Sequence, residues 1–543
     1  MDKRTILAIV LSMMVIIIYQ VFFLKPPPKQ PPPQGKVQEA VKEATPPATA
    51  VQTPVKASAP AGAVKVQTPA AVQTVAPERE VVVETPLYRA VFTTRGGALK
   101  SLVLKHYRKT LAENSDPVEM VDIPAGMPHP LQVSFPASSV DVPPGLPFET
   151  KTRALNLAAD ADKAALTFTG VVPGVMEIEK VFTFHPSQYV FELEVRLRNL
   201  SETPLNQNLS LNWFHFADPK AETDSYANEG PVVHLNKDME RFQAKKVETE
   251  KVLGPGVLWG GYENKYFIVA MIPQNPSLTT TVLAKDQANL VSVGLRGAKS
   301  IIPPAQTGTF SYSLFIGPKD YTILKAQGLK LEEAIDFGSW LKWLAIPLLV
   351  ALKFLYGYVH NYGLAIIILT IIIKIIFWPL GNKSYESMKE MQKIQPKIQE
   401  LREKYKNDRQ RLSQETMALY RAHKVNPMGG CLPMLIQIPV FFGLYKTLLY
   451  AIELRHSPFI WWIRDLSDKD PYYITPIVMG GTMWLQQKMT PTGGDPMQQK
   501  VMLWMPVIFT FLFLNFPSGL VIYWLFNNII SIGQQYYINK RYN

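Results

Sequence analysis

Lys374 is a single cation set among isoleucines in a membrane-length apolar stretch, Gly363 to Pro379. Thr370 precedes it by one helical turn, so a hydroxyl and an ammonium fall on one helix face. A charge at the centre of a membrane helix costs about 2.5–3.5 kcal/mol, and such residues usually face a bundle interior or a wet cavity. The chemistry open to Lys374 there is binding, because a cation attracts carboxylates more strongly in a low dielectric than in water. The other reading is anchoring. Lys374 lies six residues before Leu380; that is about 9 Å along a helix, much of which a lysine stem can cover to reach the interface. From the residue alone both readings stand. Further polar residues sit in later apolar stretches: Gln437, Asn515, Tyr523, Asn527, Asn528 and Ser531. Interhelical hydrogen bonding accounts for any one of them, but the set exceeds what lipid packing needs.

Other chemistry is not visible. There is no P-loop, nucleophile elbow or metal-ligand spacing, so no cofactor, metal or catalytic residue is expected. Ser339-x-x-Lys342 matches the S-x-x-K pattern of penicillin-binding enzymes, but no S-D-N or K-T-G partner follows. The net charge of +12 is concentrated beside apolar stretches. That suits anionic headgroups and membrane topology, and without a basic-aromatic signature no nucleic acid substrate is expected. One cysteine, Cys431, excludes an internal disulfide framework.

The elements that must position these residues differ along the chain. Residues 1–24 read as an uncleaved transmembrane anchor, with Lys3 and Arg4 keeping the N-terminus in the cytoplasm. Residues 25–77 are Pro-rich and read as a disordered tether. From 78 to 325 the period becomes two: Phe191, Leu193, Val195 and Leu197 alternate with charges, and Phe310, Tyr312, Leu314 and Ile316 with small polar residues. This predicts an extracytoplasmic, antiparallel all-β sandwich whose charges serve solubility. Residues 331–358 are apolar yet carry Asp336, Lys342, Lys353 and Pro347, and predict an amphipathic helix on the outer membrane surface.

Five spans are expected within 361–543: about Asn361–Leu380, Cys431–Ile452, Tyr473–Met489, Val501–Phe516 and Gly519–Tyr537. Between the first two, residues 381–430 hold eleven Lys/Arg against six Asp/Glu. The positive-inside rule puts this loop, and the C-terminal Lys540 and Arg541, in the cytoplasm. Met388, Met391, Ile394, Ile398, Leu401 and Tyr405 form one helical stripe, and Asn407-Asp408 a turn with an N-cap, so the loop is expected to be a helical hairpin. It reads either as a solvated hairpin closing on itself or as a docking element for ribosomes or nascent chains.

The last 215 residues resemble the YidC/Oxa/Alb superfamily of membrane protein insertases. The resemblance rests on Asn426–Pro433 through Gln437–Phe441, Asp495–Lys500, Phe516–Trp524 and Gln395–Gln399, in that order. Anchor, tether and sandwich are similar, more loosely, to the Gram-negative form with a large periplasmic domain. The resemblance implies a five-helix core in the bacterial inner membrane that encloses a hydrophilic groove, open to cytoplasm and lipid. It implies a positive groove residue, at the position of Lys374, where other members carry arginine. Thr370, Gln437, Tyr523, Trp524 and Asn528 fall at groove-lining or substrate-contact positions, with Trp524 where a second tyrosine is common. The implied partners are nascent integral membrane proteins, membrane lipids, the Sec translocon and, through hairpin 381–430 and the C-terminus, the ribosome. A channel or transporter, a scaffold of the translocon and an extracytoplasmic enzyme are the competing classes.

Overall fold

The computed structural model describes residues 77–543 except 141, 144, 221–226, 248–249, 339, 424–431, 491–495 and 543. The expected anchor at 1–24, the tether up to residue 76, Cys431 and the motif residues 426–431 and 495 lie outside the described residues.

Strand periodicity places the β core where it was expected. In Val190–Asn199, Phe191, Leu193, Val195 and Leu197 point inward and are fully buried. This strand pairs antiparallel with Thr307–Pro318, Leu193 opposite Tyr312. On the far side of Thr307–Pro318 lies Phe267–Pro273, buried at every position, as a strand covered on both faces must be. These three belong to a nine-stranded sheet, flanked by two five-stranded sheets. Phe92 of one flanking sheet packs on Phe182 of the large sheet, centroids 4.8 Å apart. His215 of the other stacks on Tyr262 at 4.0 Å. Each large apolar side chain so enclosed contributes about 1.5–3 kcal/mol.

One charge in this core is not a matter of solubility. Met176–Phe184 alternates strictly, and the alternation puts Lys180 inward between Ile178 and Phe182. It is fully buried. Its Nζ donates to the carbonyls of Leu131 (2.6 Å), Gly97 and Gly96 (3.2 Å). Gly96 and Gly97 have φ of +77° and +52°, a left-handed turn that glycine reaches without strain. Burial pushes the ammonium down to about 7. The unfolded chain therefore binds more protons than the folded one above pH 7, and stability rises with pH. We expect the β domain's urea midpoint to climb from pH 7 to about 9, before tyrosine ionisation in the unfolded chain opposes it. Lys180→Met should make that climb shallower, leaving the part due to the buried Lys319, which burial also pushes down; an unchanged slope in the variant would refute the assignment.

The helical part begins with α1, Tyr321–Gln327, capped by Asp320, whose carboxylate accepts from the backbone N–H of Thr322 and Ile323. The stretch expected to be one helix over 331–358 is divided. A 3-10 turn, Leu331–Ala334, is followed by α2, Lys342–Val359. Nor does α2 divide into a wet and a dry face. Ala345, Leu348, Leu349 and Leu352 are buried, but Trp343, Val350, Phe354 and Tyr358 are exposed and also apolar. Next come α3, Tyr362–Lys393, α4, Gln395–Lys404, and α5, Arg409–Ala422. α3 runs on past the expected span end at Leu380 into the stripe, and breaks at Ile394 before Pro396. Asp408 caps α5, accepting from the N–H of Arg411 at 2.9 Å. Ile394 and Ile398 close against Leu419 and Tyr420. Then follow α6, Leu432–Tyr450, α7, Ile474–Met489, α8, Pro496–Phe513, and α9, Ser518–Tyr542. α9 packs on α3, α6 and α7. Among the described residues only α2 and α3 are long and apolar enough to cross a membrane; α8 adds a shorter apolar stretch, Leu503–Phe513.

The β domain and helices meet through charges. Glu263, fully buried, pairs with Arg241 (2.8 Å) and Lys319 (2.6 Å). Arg241 also donates to the carbonyls of Glu333 and Ala334. Asp336 pairs with Lys446 of α6 at 3.0 Å, and Lys353 of α2 with both Asp320 and Glu453. Arg455, beyond α6, donates to the carbonyl of Arg108 at 2.7 Å.

Candidate functional site

Of the six sequence-predicted residues, Lys374, Gln437 and Tyr523 come together across three helices, and Asn528, Thr370 and Trp524 do not. α3 carries Lys374, half-buried, while Ile372 and Ile376 on its opposite face are exposed, as are Ile371 and Ile375 beside them. That exposed apolar surface suits lipid, and it leaves the lysine directed at the bundle. Lys374 Nζ donates to Ser531 Oγ of α9 at 2.7 Å. Ser531 donates its own hydrogen to the carbonyl of Asn527 at 2.8 Å. The Asn527 side-chain oxygen accepts from Gln437 Nε2 of α6 at 2.9 Å. The buried Tyr523 hydroxyl also meets Gln437. A polar seam thus joins α3, α9 and α6.

Asn528 lies beside this seam and reaches α7 instead, its Nδ2 3.4 Å from Thr482 Oγ1. Farther along α9, Gln534 donates to Asn382 at 2.9 Å and to the carbonyl of Trp378 at 3.2 Å. Gly381 lets it approach: a Cβ there would sit 2.6 Å from Gln534 Nε2.

Thr370 and Trp524 do not join. The Thr370 side chain is buried, and its hydroxyl donates back to the Ile366 carbonyl at 2.7 Å, a bond within its own helix. Trp524 stands edge-on to Phe441 (4.6 Å) and close to Phe513 (5.3 Å), in an aromatic cluster with its indole N–H unpartnered. Asn527 and Ser531 take their places. Their spacing held the signal, since Asn527, Ser531, Gln534 and Gln535 fall at i, i+4, i+7 and i+8, one stripe of a helix.

An ammonium, a hydroxyl and amides can bind and orient a polar chain, but they include no nucleophile paired with a base. No cluster of three His, Cys, Asp or Glu residues able to hold a metal occurs among the described residues.

Residues 354–543 match the family model described as 60Kd inner membrane protein, and residues 80–351 match the YidC periplasmic domain. The membrane protein insertase YidC of Syntrophus aciditrophicus (strain SB) is 64% identical over 545 residues, covering 100% of each chain. That of Geobacter metallireducens is 44% identical over 543 residues, covering 99% of this chain and 98% of the other. A crystal structure of an active YidC insertase with its first transmembrane domain resolved aligns with a TM-score of 0.36 at 21% identity, covering 85% of this chain and 93% of that one. By its two matching family models and by identity along its whole length, the chain belongs to the YidC family of inner-membrane protein insertases, which carry a periplasmic domain and are not catalytic enzymes.

Proposed function

We propose that this chain inserts membrane proteins through a hydrophilic groove walled by α3, α6, α7, α8 and α9, with the Lys374–Ser531–Asn527–Gln437 seam as its polar floor. The observation that carries this reading is the seam itself: a cation joined to α9 and, through it, to α6, on a helix whose opposite face is exposed isoleucine. A short polar tail crossing a bilayer meets a cost of several kcal/mol for each unsatisfied group. A wet groove reaching part-way shortens the dry path. Lys374 draws acidic tail residues inward, and the apolar segment then slides into lipid, with no chemical step and no nucleotide. Gln437, Tyr523 and Asn528 offer hydrogen bonds to the tail's backbone. Thr370 and Trp524 act as packing at the groove wall.

In this reading the β domain (78–325) is periplasmic, and hairpin 381–430 and both termini are cytoplasmic. The segment 331–358 lies at the outer interface. α2 would reach about 27 Å at 1.5 Å per residue; Leu344 and Leu348 approach Gly443, the Ala345 carbonyl accepts from Thr447 in the last turn of α6, and Lys353 pairs with Glu453 just beyond that helix. The mixed-charge hairpin serves as the docking element for ribosomes, and the Sec translocon is the partner for larger substrates.

Reconstitution of the purified chain into liposomes with a small single-span substrate tests the activity by protease-protected insertion; protection no higher than in empty liposomes would end this reading. Topology is tested separately. In a Cys431→Ser background, Lys404→Cys and Gln410→Cys, both exposed, should label only from the cytoplasm. Lys469→Cys, also exposed, should label from the periplasm. Labelling of the hairpin from outside would mean that α2 crosses the membrane.

A further inference from the structure

We infer that Ser531 is a positioning residue for Lys374: a neutral acceptor that holds the ammonium in place without neutralising it, so that a substrate carboxylate can take over. The inference rests on the reading of Lys374 as the groove cation. Two observations carry it. The first is the direction of the hydrogen bonds. Ser531 spends its one hydrogen on the Asn527 carbonyl, one turn back on the same helix. Its lone pairs are what remain, and Lys374 Nζ donates to them at 2.7 Å. Asn527 is in turn held by Gln437, so three helices fix where the serine oxygen stands.

The second is that, among the described residues, no carboxylate pairs with Lys374. No Asp or Glu occurs in 361–385, 432–452, 474–489, 496–517 or 518–543. The core could place a carboxylate opposite Lys374 and instead places a hydroxyl. A hydrogen bond from an ammonium to a carboxylate is about twice as strong as a neutral one. An arriving acidic residue can therefore displace the serine oxygen, whereas a resident aspartate would hold the lysine and shut it off from substrate.

The full chain in liposomes, given paired single-span substrates with acidic or neutral translocated tails, tests this through the ratio of acidic-tail to neutral-tail insertion at matched protein. Ser531→Thr keeps the hydroxyl and should keep the ratio within about twofold. Ser531→Asp should lower the ratio at least about tenfold, because the new ion pair consumes the cation's charge. The double variant Lys374→Ser, Ser531→Lys returns a cation to the same place from the other helix and should recover the ratio to within about threefold, which a merely structural role for Ser531 would not do. A wild-type ratio in Ser531→Asp overturns the inference. If that variant does not accumulate, the double variant decides: a recovered ratio supports it and a lost one overturns it. Lys374→Glu, run alongside, separates the two levels. If its ratio collapses while that of Ser531→Asp does not, only the role of Ser531 fails; if its ratio also stays at the wild-type value, the groove-cation reading fails with it.

Discussion

Lys374→Glu should cut insertion of an acidic-tailed substrate by at least about tenfold relative to its neutral-tailed counterpart. Two unit charges 4 Å apart interact by about 4 kcal/mol at an effective dielectric of 20, and the substitution reverses the sign of that interaction. Even a third of it, about 1.4 kcal/mol, is a factor of ten. The new carboxylate would also face Ser531, whose hydrogen is already given to the Asn527 carbonyl, so it would meet an acceptor. Lys374→Arg should retain most activity, since the charge is kept; the guanidinium's planar fork is not needed to meet one serine oxygen. Lys374→Met should fall between. If Lys374 were an interfacial anchor, Met would be harmless and no variant would respond to tail charge. Insertion of the substrate pair across the three variants, at matched expression, separates these outcomes.

Glu263→Gln should destabilise the β domain by about 3–5 kcal/mol. Glu263 is fully buried between Arg241 and Lys319, themselves little exposed. Removing its charge leaves two cations in the interior without the carboxylate that pairs them. The effect should spread to the joint, because Arg241 also binds the carbonyls of Glu333 and Ala334 just before α2. The full chain in detergent should show a lower urea midpoint and faster tryptic release of the β domain. Glu202→Gln, at an exposed turn, is the control and should stay within about 0.5 kcal/mol. Equal midpoints for the two variants would show that the triad adds nothing to stability.

Wherever a short-range rule governs, the chain is legible. Alternation in 190–199 is a local property of strands, and the buried set is the one the pattern marks. The Asp408 cap follows from a residue type and the helix just after it. Legibility fails where apolar runs lack a wet face. The 331–358 stretch reads as one amphipathic helix, yet its exposed residues are apolar and its first part is a 3-10 turn. Helix ends are equally obscure: α3 passes Leu380 without interruption because nothing before Pro396 forces a break there. Pro379, which falls inside it, costs one hydrogen bond without ending the helix.

The sequence by itself determined the division into a β-rich part and apolar helices, the inward parity of Phe191, Leu193, Val195 and Leu197, and the presence of one cation, Lys374, within the apolar stretch Gly363 to Pro379. Those depend on periodicity and composition, which neighbouring residues define. Only the tertiary structure decided what each charge meets. Ser531 lies 157 residues from Lys374, Glu263 lies 22 and 56 residues from its two cations, and Gln437 lies 90 residues from Asn527. Such partners are chosen by how helices and sheets pack, and no local pattern encodes them. The same packing turned Thr370 to its own backbone and Trp524 into an aromatic cluster, although both share helices with the seam. A helix face spans only about a third of the circumference, and which third meets a neighbour is settled by the neighbour.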